Sequence, residues 1–165
     1  MSKKDLDFCQ KLADKADEIS MARFGALDLI IETKPDLTPV SDADKKVEEE
    51  LRKLITQYSN SDSIIGEEFG KEGSGNREWI LDPIDGTKNF VRGVPFWGTL
   101  IGLRIDGKMQ VGMVSAPALG RRWFGALGHG AYLRSQTNNF LKERKLQVSK
   151  VSKIEDAYLG YSSQD

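Results

Sequence analysis

Two short acidic segments carry the chemistry of this chain. In Trp79-Ile80-Leu81-Asp82-Pro83-Ile84-Asp85-Gly86-Thr87-Lys88-Asn89-Phe90, an apolar run of the kind that makes an interior strand delivers two carboxylates into a turn. Ile64-Ile65-Gly66-Glu67-Glu68 repeats the pattern on a smaller scale. Carboxylates at strand ends, without a His or Cys cluster, suit hard cations with oxygen ligands, Mg²⁺ before Zn²⁺. A turn folds the chain back, so Asp82 and Asp85 can converge on one cation, with the Ile84 carbonyl as a further oxygen ligand. Gly86 allows close backbone approach, and a short helix starting at Thr87 would point free N–H groups at the same place, a site for an anion. A cation site beside an anion site describes a phosphate ester held on metal, where two metals orient and deprotonate a water for in-line attack.

Each motif also has a plain reading. Asp-Pro-X-Asp-Gly is an ordinary turn, acids at strand ends are commonly solvated, and Asp44 is an acid suited to a helix N-terminus. His129, the only histidine, lies between two glycines and reads as a turn residue. Phe96, Trp97 and Trp123 read as core or inter-sheet packing.

The elements that must position these residues change character along the chain. Ser2 with Asp5 reads as a capping box, and Phe8, Cys9, Leu12, Ala16 and Ile19 form one stripe of a helix running to about Phe24 and ended by Gly25. Leu27 to Glu32 is β-rich enough for a strand, and Lys34 to Asp44, with two prolines, reads as an unpaired loop with three acids. Ser41 or Asp42 caps a second helix whose inner face is Val47, Leu51, Leu54, Ile55 and Tyr58, with Glu48, Glu49, Glu50, Arg52 and Lys53 mostly turned to solvent. Strands are then expected over 63–67, 78–82, 97–105, 108–116, 121–126 and 157–161, with Asp106-Gly107 as a hairpin turn, Gly128-His129-Gly130 as another turn, and 136–144 as a polar excursion. The expected fold is α+β, two N-terminal helices packed on one face of a largely antiparallel sheet.

Composition narrows the partners. Lys and Arg number 24 against 25 Asp and Glu, a net charge of −1 that gives no general attraction to nucleic acid or an anionic membrane. Cys9 is the only cysteine, no signal-peptide pattern is seen at the N-terminus, and no apolar run approaches a membrane span, all of which point to a cytoplasmic protein. A length of 165 residues suits one domain.

Gly66-Glu67-Glu68 followed by Trp79 to Phe90 resembles the signature of the inositol monophosphatase family, Mg²⁺-dependent and lithium-sensitive phosphomonoesterases. The resemblance implies Glu67, Asp82, Asp85 and the Ile84 carbonyl as ligands of two or three Mg²⁺ ions, and Gly86 and Thr87 as phosphate contacts. It implies further that the Thr87 hydroxyl orients the attacking water with Glu67, that Asp44 supports that hydroxyl, and that Glu68 lies behind the ligands. Within the family, Thr87 to Leu103, with Ser115-Ala116-Pro117-Ala118 and Arg121-Arg122-Trp123, resembles the histidinol-phosphatases of actinobacterial type; inositol-1-phosphate is the alternative substrate. Family members continue for roughly another hundred residues, into a C-terminal α/β domain with a Trp-Asp motif that supplies another metal ligand. Residues 1–165 are therefore expected to be the N-terminal α+β domain, the N-terminal half of the family's layered fold, exposing an apolar sheet face that self-associates or binds the other half. A catalytically dead module, whose acidic turn holds a structural cation, is the rival from another class.

Overall fold

Cys9, Leu12, Ala13 and Ala16 recur at helical spacing and are fully buried along α1, Lys3–Arg23, in the computed structural model, which describes residues 3–137 and 140–160. The cap expected at Ser2 lies outside the described residues. Gly25 follows at φ 75°, the left-handed backbone that ends helices at glycine. The second helix, α2, spans Asp42–Tyr58 and is capped by Ser41, whose backbone N–H donates to Asp44 Oδ2 at 2.8 Å. Val47, Leu51 and Ile55 are buried as expected, and the Tyr58 ring stacks on Phe8 with centroids 3.9 Å apart. Glu48 departs from expectation, being fully buried rather than turned to solvent.

Between the helices the strand is shorter and later than its composition suggested. Only Ile31–Thr33 (β1) is extended, and it pairs with Pro39–Ser41 (β2) in a two-stranded antiparallel ladder within the segment expected to be unpaired. Pro39 is the first residue of its strand, where a missing N–H is tolerated. Leu27 and Ile30 have no ladder partner and are exposed, so their β-rich character goes unused.

The main sheet comprises β3 (Ser63–Gly66), β4 (Gly70–Glu72), β5 (Arg77–Asp85), β6 (Gly98–Ile105), β7 (Lys108–Ala116), β8 (Arg121–Ala126), β9 (Gly130–Thr137) and β10 (Phe140–Leu146). Their spatial order is β10-β9-β8-β7-β6-β5-β3-β4. Every pairing is antiparallel except β3 with β5. Asp106 and Gly107 turn β6 into β7 with φ of 49° and 76°, the positive pair that tight hairpins require. A short helix, α3 (Thr87–Phe90), follows β5.

Two further expectations give way. The described residues of the polar segment 136–144 form no excursion but belong to the paired strands β9 and β10, in register Gln136↔Leu141 and Arg134↔Glu143, the latter an ion pair at 3.1 Å. Its polarity reflects an edge position wetted on both faces. Residues 157–160 form no strand, and Tyr158 and Leu159 stand in solvent without a neighbouring ladder to join; Tyr161 is outside the described residues.

Both helices pack on one face of the sheet, where Trp79, Leu81, Ile101, Leu103, Val111 and Met113 meet Leu12, Val47 and Leu51. Alternation along each strand sends the intervening residues to the other face. There Ile80, Leu100, Met109, Val114 and Trp123 border an open groove of about 480 Å³, with Met109 50% and Val114 38% exposed.

Candidate active site

The one parallel pairing explains how two acidic segments meet. Because β3 and β5 run in the same direction, their C-terminal ends reach the same edge, and the register ends at Gly66↔Leu81. The Glu67 N–H then donates to the Leu81 carbonyl at 3.2 Å, placing Glu67 beside Asp82. In a regular strand, Asp82 and Asp85 would point to opposite faces. The ladder to β6 shifts register between them, and this irregularity re-aims Asp85. Pro83 and Ile84 are buried beneath, with the Pro83 carbonyl accepting from the Thr99 hydroxyl at 2.8 Å. Gly86 stands at φ 87°, and a Cβ there would lie 3.0 Å from the Phe96 carbonyl, so the turn needs glycine both for its backbone and for space. A separate apolar cluster of Ala43, Ile84, Phe90 and Trp97 anchors the turn and α3 to the start of α2.

Glu67, Asp82, Asp85, Gly86, Thr87 and Lys88 line one cleft of about 720 Å³, which Ile84, Asp36 and Arg92 also border. Asp44 lies behind it, buried in the first turn of α2, and reaches the cleft through Thr87. The Thr87 hydroxyl is 3.1 Å from Asp44 Oδ1 and 2.9 Å from the Ile84 carbonyl, so its single proton is directed to one of these and its lone pairs face away from them.

The electrostatics of the cleft call for positive charge. Burial first, then the neighbouring carboxylates of Glu67, Asp85 and Asp44, push the Asp82 carboxyl up to about 8. Its Oδ1 is buried without a hydrogen-bond partner among the described residues. Burial also raises Asp44, against the opposing hydrogen bonds from Ser41 and Thr87. Lys88 and Arg92 border the cleft, and Lys34 bonds acids directly, its Nζ 2.7 Å from Glu67 Oε1 and 2.8 Å from Glu68 Oε1. Burial raises the Glu68 carboxyl, and Lys34 opposes that shift. Among the described residues no three His, Cys, Asp or Glu side chains already stand in metal-ligand geometry, and Glu67 is paired with Lys34. The donor set nonetheless fits a hard cation: all oxygen, mutually repelling, with one buried oxygen unsatisfied.

The structure thus brings Glu67, Asp82, Ile84, Asp85, Gly86 and Thr87 to one cleft and connects Asp44 to it by a hydrogen bond. Glu68 does not line the cleft but shares the Lys34 ammonium with Glu67, at 2.8 Å. His129 lies in the exposed β8–β9 turn, and Phe96 is 66% exposed rather than packed in the core. Two residues escaped the sequence reading. Lys34 gave no signal, because an ion pair across 33 positions leaves no local pattern. Glu48 did, since 44, 47, 48, 51 and 55 form one continuous helical stripe.

Helices on one face of a mixed, mostly antiparallel sheet, with acidic turns at the ends of its parallel pair, form the layered α+β fold of solved inositol monophosphatases. The chain superposes on the Thermotoga maritima IMPase with a TM-score of 0.78 at 31% identity, covering 89% of this chain and 54% of that one. On the suhB protein of Bartonella henselae the TM-score is 0.80 at 26% identity, over 90% and 56% of the two chains. The sequence profile of the inositol monophosphatase family matches residues 2–165, and the chain belongs to that family. It is 51% identical to a histidinol-phosphatase of Mycobacterium tuberculosis, over 99% of this chain and 62% of the relative. It is 54% identical to one of Streptomyces coelicolor, over 96% and 60%. The chain therefore spans about three fifths of the length of these curated relatives.

Proposed function

We propose that this chain carries the metal and phosphate site of a Mg²⁺-dependent phosphomonoesterase acting on histidinol phosphate. The observation that carries the reading is the gathering of Glu67, Asp82 and Asp85 in one cleft, with an Asp82 oxygen buried and without a hydrogen-bond partner among the described residues, in a chain more than half identical to histidinol-phosphatases. Glu67, Asp82, Asp85 and the Ile84 carbonyl would hold Mg²⁺, two or three ions per site and open to competition by lithium. When bound, the metal supplies charge neutralisation and an acidified water. The protein's own residues do the aiming. Either Asp44 or the Ile84 carbonyl accepts the single Thr87 proton, which leaves the Thr87 oxygen to accept one hydrogen of a water while Glu67 accepts the other. Gly86 and the first turn of α3 lie where the phosphate would rest.

The apolar groove on the face away from the helices runs up to Asp82 and calls for a cover. We assign that role to the C-terminal α/β domain of the family or, without it, to a second copy of this chain. The reading places the protein in the cytoplasm, in histidine synthesis. Among the described residues no helix is long and apolar enough to cross a membrane.

Phosphate release from histidinol phosphate and from inositol-1-phosphate, measured in parallel with Mg²⁺ on the protein supplemented with the family's C-terminal domain, tests the substrate. A preference of tenfold or more for histidinol phosphate is expected. Comparable rates would remove the narrow assignment, and no release from either, with Mg²⁺ bound, would favour a structural cation site.

A further inference from the structure

Glu48 is a fully buried acid with no place in the reaction proposed above. Its carboxylate accepts the backbone N–H groups of Glu68 at 2.7 Å and Phe69 at 3.2 Å, the two residues that follow Glu67. Arg52, one helical turn on, donates to it from Nε at 2.8 Å and pairs from Nη2 at 2.7 Å, so the charge is compensated in place. The fit is tight enough to dictate a neighbour: a Cβ on Gly66 would fall inside the Glu48 carboxylate. On the same face of α2, four residues earlier, Asp44 holds Thr87 of the other acidic turn. One rigid helix face, with grips about 6 Å apart along its axis, therefore holds both turns at once.

We infer that Glu48 is a positioning residue for the metal site, fixing Glu67 relative to Asp82 through the backbone of 67–69. The inference rests on the metal reading given above. It differs from a structural role in that the two turns lose their mutual register, and hence cation affinity, even where the fold persists.

Calorimetric titration of this chain with Mn²⁺ tests it, in the wild type, Glu48→Gln, Glu67→Gln and the double variant, alongside thermal unfolding in EDTA. Glutamine keeps the volume of Glu48 but can accept only through one oxygen. Loss of an outer partner of a metal ligand costs about 10-fold in affinity or more, and that loss is expected for Glu48→Gln. In the Glu67→Gln background the same change should cost no further affinity, while its effect on unfolding remains. Unchanged Mn²⁺ affinity in Glu48→Gln, or an additive loss in the double variant, overturns the inference while leaving the metal reading standing. Unchanged affinity in Glu67→Gln overturns both. Should Glu48→Gln not fold, Gly66→Ala keeps every charge but displaces the carboxylate; it should weaken Mn²⁺ binding similarly, and wild-type affinity there would equally overturn the inference.

Discussion

Asp82 is where the metal-free protein carries its electrostatic burden. Its folded carboxyl holds a proton up to about pH 8, whereas an unfolded aspartate releases it near 3.9. The stabilising proton is thus fully present below about pH 4, and its contribution is lost as pH rises through about 8. Thermal melts in EDTA between about pH 5 and about pH 9 should show stability falling with pH, and Asp82→Asn, which cannot ionise, should flatten that decline and abolish Mn²⁺ binding. An unaltered slope would remove Asp82 as its source. On the proposed reading Thr87 sits at the other extreme, its hydroxyl aiming a water rather than neutralising charge. Thr87→Ala is expected to lower kcat by about 10² to 10³, with Mn²⁺ affinity within about twofold of wild type by calorimetry. An equal loss of cation binding would make Thr87 a ligand. Residue type and spacing mark the two acidic turns as candidate cation sites but leave an ordinary reading open for each, and the roles of Glu67, Asp82, Asp85 and Asp44 are implied by the family resemblance. Lys34 leaves no local pattern at all, whereas Glu48 lies on a readable helical stripe and only its partners, brought near by the fold, are hidden.

At the scale of elements, the β5 to α3 turn depends on a backbone shape that only glycine adopts freely. Gly86→Ala would force an L side chain to φ 87° and drive its Cβ against the Phe96 carbonyl, costing about 1 to 2 kcal/mol from the backbone alone. The urea midpoint should fall accordingly, and a wild-type midpoint would show that the turn relaxes. The helices and central strands could be read from the sequence because apolar periodicity is strong in α1, α2 and β5 to β8. The failures share one cause. Leu27 to Ile30 has strand-like composition and no ladder partner, whereas Pro39 to Ser41 and the polar residues of β10 lack that composition and have partners. Pairing is a tertiary event, and composition does not record it. The parallel β3–β5 contact that joins the two acidic turns was likewise invisible, although both turns were found.

For the whole molecule, the proposed cover of the groove opposite the helices makes a prediction about behaviour in solution. Val114, 38% exposed beside Trp123, is central to it. Size-exclusion chromatography of this chain alone should show self-association, and Val114→Asp should return it to a monomer while leaving the helix-side core untouched; a wild-type chain that is already a stable monomer would contradict the proposed cover. The seam between α1 and the sheet has a different reach. Cys9 touches Met113, and Asp14 pairs with Arg122, across separations of 104 and 108 residues. During synthesis at about 5 to 20 residues per second, α1 can meet α2 early, but its stripe is fully covered only once β7 and β8 follow, about 5 to 20 s after Cys9 and Asp14 are made. Closing that seam takes contacts across more than a hundred residues, so the helical layer stays open to capture by other apolar surfaces until the sheet reaches it.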